Sequence, residues 1–138
     1  HSYKNALSSI MTDWTSGIHV TELLERHRSK TFGYQFNVNS PLLNGRLGAY
    51  HGSELPYLFG SWENNFLGWC SQDAKIIAEF LQTSWTNFAK TGSPSSELYD
   101  WQTYSKNNLV AQIDLKVELK PYNSISKIKL LNESKITY

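Results

Sequence analysis

Gly48-Ala49-Tyr50-His51-Gly52-Ser53-Glu54-Leu55-Pro56-Tyr57-Leu58-Phe59-Gly60 places one histidine between two glycines, just ahead of an apolar run. Gly48 and Gly52 permit backbone angles that a Cβ resists, and Pro56 restricts the chain as it leaves. The spacing predicts a tight, structured loop that presents the imidazole, rather than a regular helix or strand. Glu54, three residues on, is placed to reach back to the loop's own polar groups.

The flanking sequence is consistent with such a loop at the end of a sheet strand. Thr31 to Val38 alternates, with Phe32, Tyr34, Phe36 and Val38 on one face, and predicts a strand. Asn39-Ser40-Pro41 closes it. A histidine just beyond agrees with the rule that sites in open α/β sheets form outside the carboxyl ends of the strands.

Helical spacing of Val20, Leu23, Leu24 and His27 predicts a helix from about Ile18 to Ser29, with Glu22 and Arg26 paired at i, i+4 on its wet face. His1 to Ile10 reads as a loosely held leader or the end of a helix, and the start at His1 as a processing site, a cloning scar or an internal cleavage. Asp73 to Ala89 carries Ala74, Ile77, Ala78, Leu81, Trp85 and Phe88 on one stripe, the best amphipathic helix in the chain. Gly92 then stands where a left-handed cap is expected, with Pro94 beyond. Leu98 to Tyr104 reads as an aromatic packing segment. Leu109 to Leu119 predicts an edge strand or short hairpin with Ile113, Leu115, Val117 and Leu119 inside and Lys116 and Lys120 blunting the edge. Ile125 to Asn132 suggests a short terminal helix.

The histidine stretch resembles the catalytic-histidine segment of the type-B carboxylesterase and cholinesterase family, Gly-x-x-His-Gly-x-Glu/Asp-Leu-x-Tyr/Phe-x-Phe-Gly, at every position. Trp85-Thr86-Asn87-Phe88-Ala89-Lys90-Thr91-Gly92-Ser93-Pro94 is similar to the family's Trp-x-Asn-Phe-Ala-x-Thr-Gly-x-Pro segment, and Asp100-Trp101-Gln102-Thr103-Tyr104 to the Trp-Pro-x-Tyr that follows. The likeness runs from about Asp13 to about Tyr104 and covers only the C-terminal quarter or so of such an enzyme. It implies an α/β fold: the last sheet strands of an α/β-hydrolase, the catalytic-histidine loop and its flanking helices.

The resemblance also implies chemistry. His51 matches the triad histidine, a general base and acid at neutral pH. His19 and His27 lie on the predicted helix, where a solvated or packed imidazole is the simpler reading. Glu54 leaves the same tight loop as His51, a poor geometry for the orienting acid of a triad, and the matching family acid supports the site from behind. Asp13 matches a structural aspartate, a role that N-terminal capping explains equally well. Gly52 is expected to need positive φ or close packing. Leu47, Tyr50 and Trp62 are apolar or aromatic enough to line an acyl or alcohol pocket, by adjacency alone.

In α/β-hydrolases the triad runs in chain order Ser, Asp/Glu, His, and no Gly-x-Ser-x-Gly occurs here. The serine, the orienting acid and the oxyanion amides are therefore expected on an N-terminal companion segment of the same hydrolase, with a small-molecule carboxylic ester as substrate and no cofactor. A cholinesterase-like fold that has lost catalysis and acts in adhesion or binding is the alternative.

Composition agrees with a piece that hides a face. Of 138 residues, 18 % are charged and 14 % aromatic, against a typical charged share of about 25 %, so apolar surface exceeds what polar surface covers. Net charge of +1 supplies no field for nucleic acid, and no apolar run reaches the roughly 20 residues of a membrane span. Cys70 is the only cysteine, which excludes an internal disulfide and paired-cysteine metal sites; a buried inert thiol is the expectation. Asn132-Glu133-Ser134 is a glycosylation sequon, which permits secretion.

Overall fold

A computed structural model describes residues 3–63 and 72–122. One long helical run opens the chain: α1 (Tyr3–Thr12), a π-helical turn (Asp13–Gly17) and α2 (Ile18–Arg26). The Ile18 N–H reaches Asp13 O, the i to i+5 bond that widens the helix there. Asp13 therefore lies inside the run and caps nothing, and the His1 to Ile10 segment, read as a leader or a helix end, is helical from Tyr3. The run ends at Arg26, three residues before the expected end, and the backbone of His27 turns extended at ψ 127°. Glu22 and Arg26 pair as predicted, at 3.7 Å.

After β1 (Tyr34–Phe36) come a 3-10 turn (Leu42–Gly45), the short α3 (Leu55–Leu58), a second 3-10 turn (Ser61–Glu63) and α4 (Gln72–Thr91). The chain then forms α5 (Tyr104–Asn107) and the hairpin β2 (Leu109–Ile113) and β3 (Val117–Pro121). The sheet order is β1-β2-β3, with β1 parallel to β2 and β3 antiparallel at the far edge. β1 is shorter than its alternating sequence, and at its C-terminal end its pairing stops where its partner β2 ends, at Ile113. The ladder still extends one residue each way, through Ala111 N–H to Gly33 O at 2.9 Å and Asn37 N–H to Ile113 O at 2.7 Å.

Helices cover both faces of this sheet. On one, Phe32 meets Phe88, Tyr34 meets Trp85 at 5.0 Å, and Phe36 meets Tyr57. Below them Ala111 and Ile113 join Ala74, Ile77, Ala78 and Leu81 of α4 in the main core, with Val117 and Leu119 packed alongside. The α4 stripe is buried as its periodicity predicts up to Leu81; Trp85 and Phe88 emerge at its end. Leu115, expected inside, is exposed because it falls in the hairpin turn. On the opposite face Leu24 of α2 packs with Tyr104 and Val110. Gly33 makes that approach possible: a Cβ there would lie 2.7 Å from Val110 Cγ1 and 3.0 Å from Leu24 Cδ1.

Gly92 caps α4 as expected, at φ +74°, with its N–H on Phe88 O at 2.8 Å. The aromatic segment beyond folds back on α4, Trp101 stacking near Phe80 and touching Trp85. Its turn is held by Ser95, whose Oγ accepts from Trp101 N–H at 3.0 Å, and by Asn87 Nδ2 donating to Ser95 O at 2.8 Å. Cys70 and the Ile125 to Asn132 segment lie outside the described residues. Among the described residues no helix is long and apolar enough to cross a membrane, and none group as metal ligands.

Candidate active site

The loop after β1 is built from consecutive tight turns. Gly48 stands at φ +61° and Gly52 at φ +81°, the left-handed region that favours glycine. Ser40 N–H donates to Gly48 O at 2.9 Å and Gly48 N–H to Gly45 O at 3.1 Å, which fixes the approach. Ser53 N–H then bonds Tyr50 O at 3.0 Å and Leu55 N–H bonds Gly52 O at 3.1 Å, so His51 sits at the head of two overlapping turns. Glu54 O receives the N–H groups of Tyr57 and Leu58, both at 3.1 Å, and starts α3. Pro56 lies in the first turn of α3, where its missing N–H costs nothing.

His51 is exposed at the loop surface, while Ser53 directly behind it is buried to 2 %. The loop thus turns one side into the protein and lifts the imidazole out of it. The sequence suggested that the Glu54 carboxylate reaches back to the loop's own polar groups. It faces the phenol of Tyr34 on β1; burial first, and then the charge and hydrogen-bonding of Glu54, push the Tyr34 hydroxyl above its ordinary range. Tyr34 carried no sequence signal beyond its place in an alternating strand.

Asp13 lies apart in sequence, in the π-helical turn, with 3 % exposure and its Oδ2 without a hydrogen-bond partner among the described residues. Of the three residues read as pocket lining, Trp62 is instead buried in the core beside α4, and Leu47 and Tyr50 are exposed. Among the described residues a cavity lies elsewhere, between β1 and α4. It holds about 190 Å³ and is lined by Phe32, Tyr34, Ser84, Trp85, Phe88, Pro94 and Trp101.

Residues 1–132 match the profile of the Carboxylesterase family. The chain is 30 % identical over 79 residues to the para-nitrobenzyl esterase of Bacillus subtilis (strain 168), covering 53 % of this chain and 16 % of that protein. It is 29 % identical over 144 residues to mouse neuroligin-3, covering 86 % of this chain and 17 % of that protein. Among solved structures a PNB esterase superposes with a TM-score of 0.57 at 27 % identity, over 74 % of this chain and 21 % of the other. The chain therefore spans about a fifth of the length of the proteins it matches.

Proposed function

Because the chain belongs to the carboxylesterase family and carries part of an α/β-hydrolase fold, we propose that it supplies the triad histidine, His51, to a serine hydrolase of carboxylic esters. The observation that carries this reading is the loop itself: an exposed imidazole at the head of two overlapping turns that share Gly52, held at φ +81°. A base positioned in this way loses little energy to reorganisation when it takes a proton.

In this reading an N-terminal companion segment of the same hydrolase supplies the serine, the orienting acid and the oxyanion amides. His51 takes the hydroxyl proton of that serine as it attacks the ester carbon, then returns it to the departing alcohol. The companion's acid holds the imidazole tautomer. Glu54, Gly52 and Asp13 serve geometry: Glu54 ties the loop to β1 through Tyr34, Gly52 sets the turn after the histidine, and Asp13 sits where the helix widens.

The test is an ester-hydrolysis assay on the longer parental polypeptide, or on this chain assembled with its companion, with and without His51→Ala. A fall of at least about 10⁴ in turnover is expected, as for other triad deletions, with little change in affinity for a non-hydrolysable ester analogue. Activity within tenfold of the parent removes His51 from the mechanism. The likeness to neuroligin-3 is compatible with a second reading, a cholinesterase-like fold that binds or adheres without turnover. An assembly that holds the ester analogue yet shows no hydrolysis, with His51 intact, supports that reading.

A further inference from the structure

Three separate parts of the chain line the aromatic cavity. Phe32 and Tyr34 come from β1 and the residues just before it, Ser84, Trp85 and Phe88 from the C-terminal half of α4, and Trp101 from the segment that folds back on that helix. Their contacts with one another fix the lining. Phe32 meets Phe88 edge to face at 5.9 Å, Tyr34 meets Trp85 in the same way at 5.0 Å, and Trp85 meets Trp101 at 6.0 Å. Trp101 is held in turn by its backbone N–H on Ser95 Oγ at 3.0 Å and is 3 % exposed. The cavity is therefore a built feature of this chain's own packing.

Size and lining together select an occupant. The volume of about 190 Å³ exceeds the roughly 150 Å³ of an apolar cavity that stays dry and takes up benzene. It falls short of the roughly 300 Å³ at which drug-sized pockets begin, so one aromatic ring with a small substituent fits and a larger molecule does not. No charged side chain lines it, and an ammonium or carboxylate that entered would give up its water without a partner. Paired rings set at 76° and 75° to each other accept a further ring in edge-to-face or offset geometry, the arrangements aromatic pairs prefer. Phe88 is half exposed and Tyr34 is 39 % exposed, which leaves the rim open to solvent and gives a ligand its way in.

We propose that this cavity is a binding site for a small neutral molecule built on a single aromatic ring. Its lining side chains come from three segments of this chain, so the inference depends neither on the companion proposed above nor on the role of His51.

The test uses the parental polypeptide and p-fluorotoluene as the probe. Titration followed by fluorine NMR is expected to show saturable binding with a Kd on the order of 0.1–1 mM, within reach of a ligand of about eight non-hydrogen atoms. Benzoate and benzylamine, which add a charge to the same ring, should bind at least about tenfold more weakly. Ser84→Leu places extra carbon in the cavity and should weaken the probe at least about tenfold. Nuclear Overhauser contacts are expected from the methyl protons of the probe to the ring protons of Trp85 and Phe88, and these decide the location alone where Ser84→Leu does not fold. The proposal is overturned if no saturable binding occurs below about 10 mM, if the charged analogues bind as tightly, or if Ser84→Leu keeps the parental affinity. It is equally overturned if, without the probe, the Trp85 and Phe88 rings contact a side chain from outside residues 1–138, since the companion then fills the cavity. Each readout is of binding, so a failed His51→Ala assay beside saturable binding locates the error in the catalytic reading, and the converse locates it here.

Discussion

The Tyr34 phenol on β1 faces the Glu54 carboxylate three residues beyond His51, joining the strand to the loop that follows it. The ring of Tyr34 is held separately, edge-on to Trp85 of α4 at 5.0 Å. Strand, helix and loop thus meet at one side chain, and its hydroxyl can be removed without disturbing its packing.

Tyr34→Phe should keep the ring contact and lose only the electrostatic interaction of the hydroxyl with Glu54. At this partly exposed site the expected loss of stability is about 0.5–1 kcal/mol, after allowance for solvent screening. Urea denaturation of the assembled protein checks it, and a double cycle with Glu54→Gln should show the two substitutions to be less than additive. Strict additivity would mean that the two groups do not interact.

Gly52→Ala and Gly33→Ala should both destabilise, for different reasons. At Gly52 the new Cβ has room, 3.5 Å from Leu55 Cδ1, and the cost is that of positive φ, about 1 kcal/mol. At Gly33 the Cβ collides with Val110 and Leu24, and overpacking costs about 1–3 kcal/mol. Val110→Ala in the Gly33→Ala background should recover part of the second loss, whereas Leu55→Ala should recover none of the first. Melting curves of the four variants decide.

Tyr99 makes stability sensitive to alkali. Burial, then the charges of Asp100 and Glu118, push its hydroxyl up to about 12, and that hydroxyl has no hydrogen-bond partner among the described residues. The folded state holds the proton more tightly than the unfolded chain, whose tyrosine titrates near 10. The contribution is therefore whole below pH 10 and is lost as pH rises from about 10 through about 12. Tyr99→Phe should leave stability at pH 8 unchanged or higher and flatten its fall above pH 10, read from melting temperatures across that range.

Expressed alone, the 138-residue chain is expected to lack a cooperative unfolding transition. Tyr3, Leu7, Ile10, Met11 and Leu23 stand half exposed or more along the first helical run, and among the described residues the sheet has three strands with both outer edges unpaired. A sharp two-state melt of the monomer, with dispersed amide signals, would contradict this.

Much of the architecture was legible because local rules and tertiary packing agree. The Ala74 to Leu81 stripe, the Gly92 stop and the Glu22–Arg26 pair each depend on residues within one or two turns of one another. Departures occur where distant groups decide. β1 stops at its C-terminal end where β2 ends, and Leu115 is turned outward by a hairpin whose position alternation alone does not mark. Trp62 goes to the core because α4 returns over it, which removes it from the pocket that its nearness to His51 suggested. Asp13 looked like a cap, since a polar residue ahead of an apolar run has that form, but the helix continues through it.

By itself the sequence determined the α2, β1 and α4 segments in their order, the family and the glycine-framed loop around His51, since these depend on short-range backbone preference and on spacing along the chain. Only the tertiary structure decided what Glu54 faces and where the aromatic cavity forms. Tyr34 and Glu54 are separated by a 3-10 turn and the whole histidine loop, and the cavity draws residues from β1, α4 and the Pro94 to Trp101 segment. Contacts between such distant segments arise from the packing of helices on both faces of the sheet, which no local pattern of residues specifies.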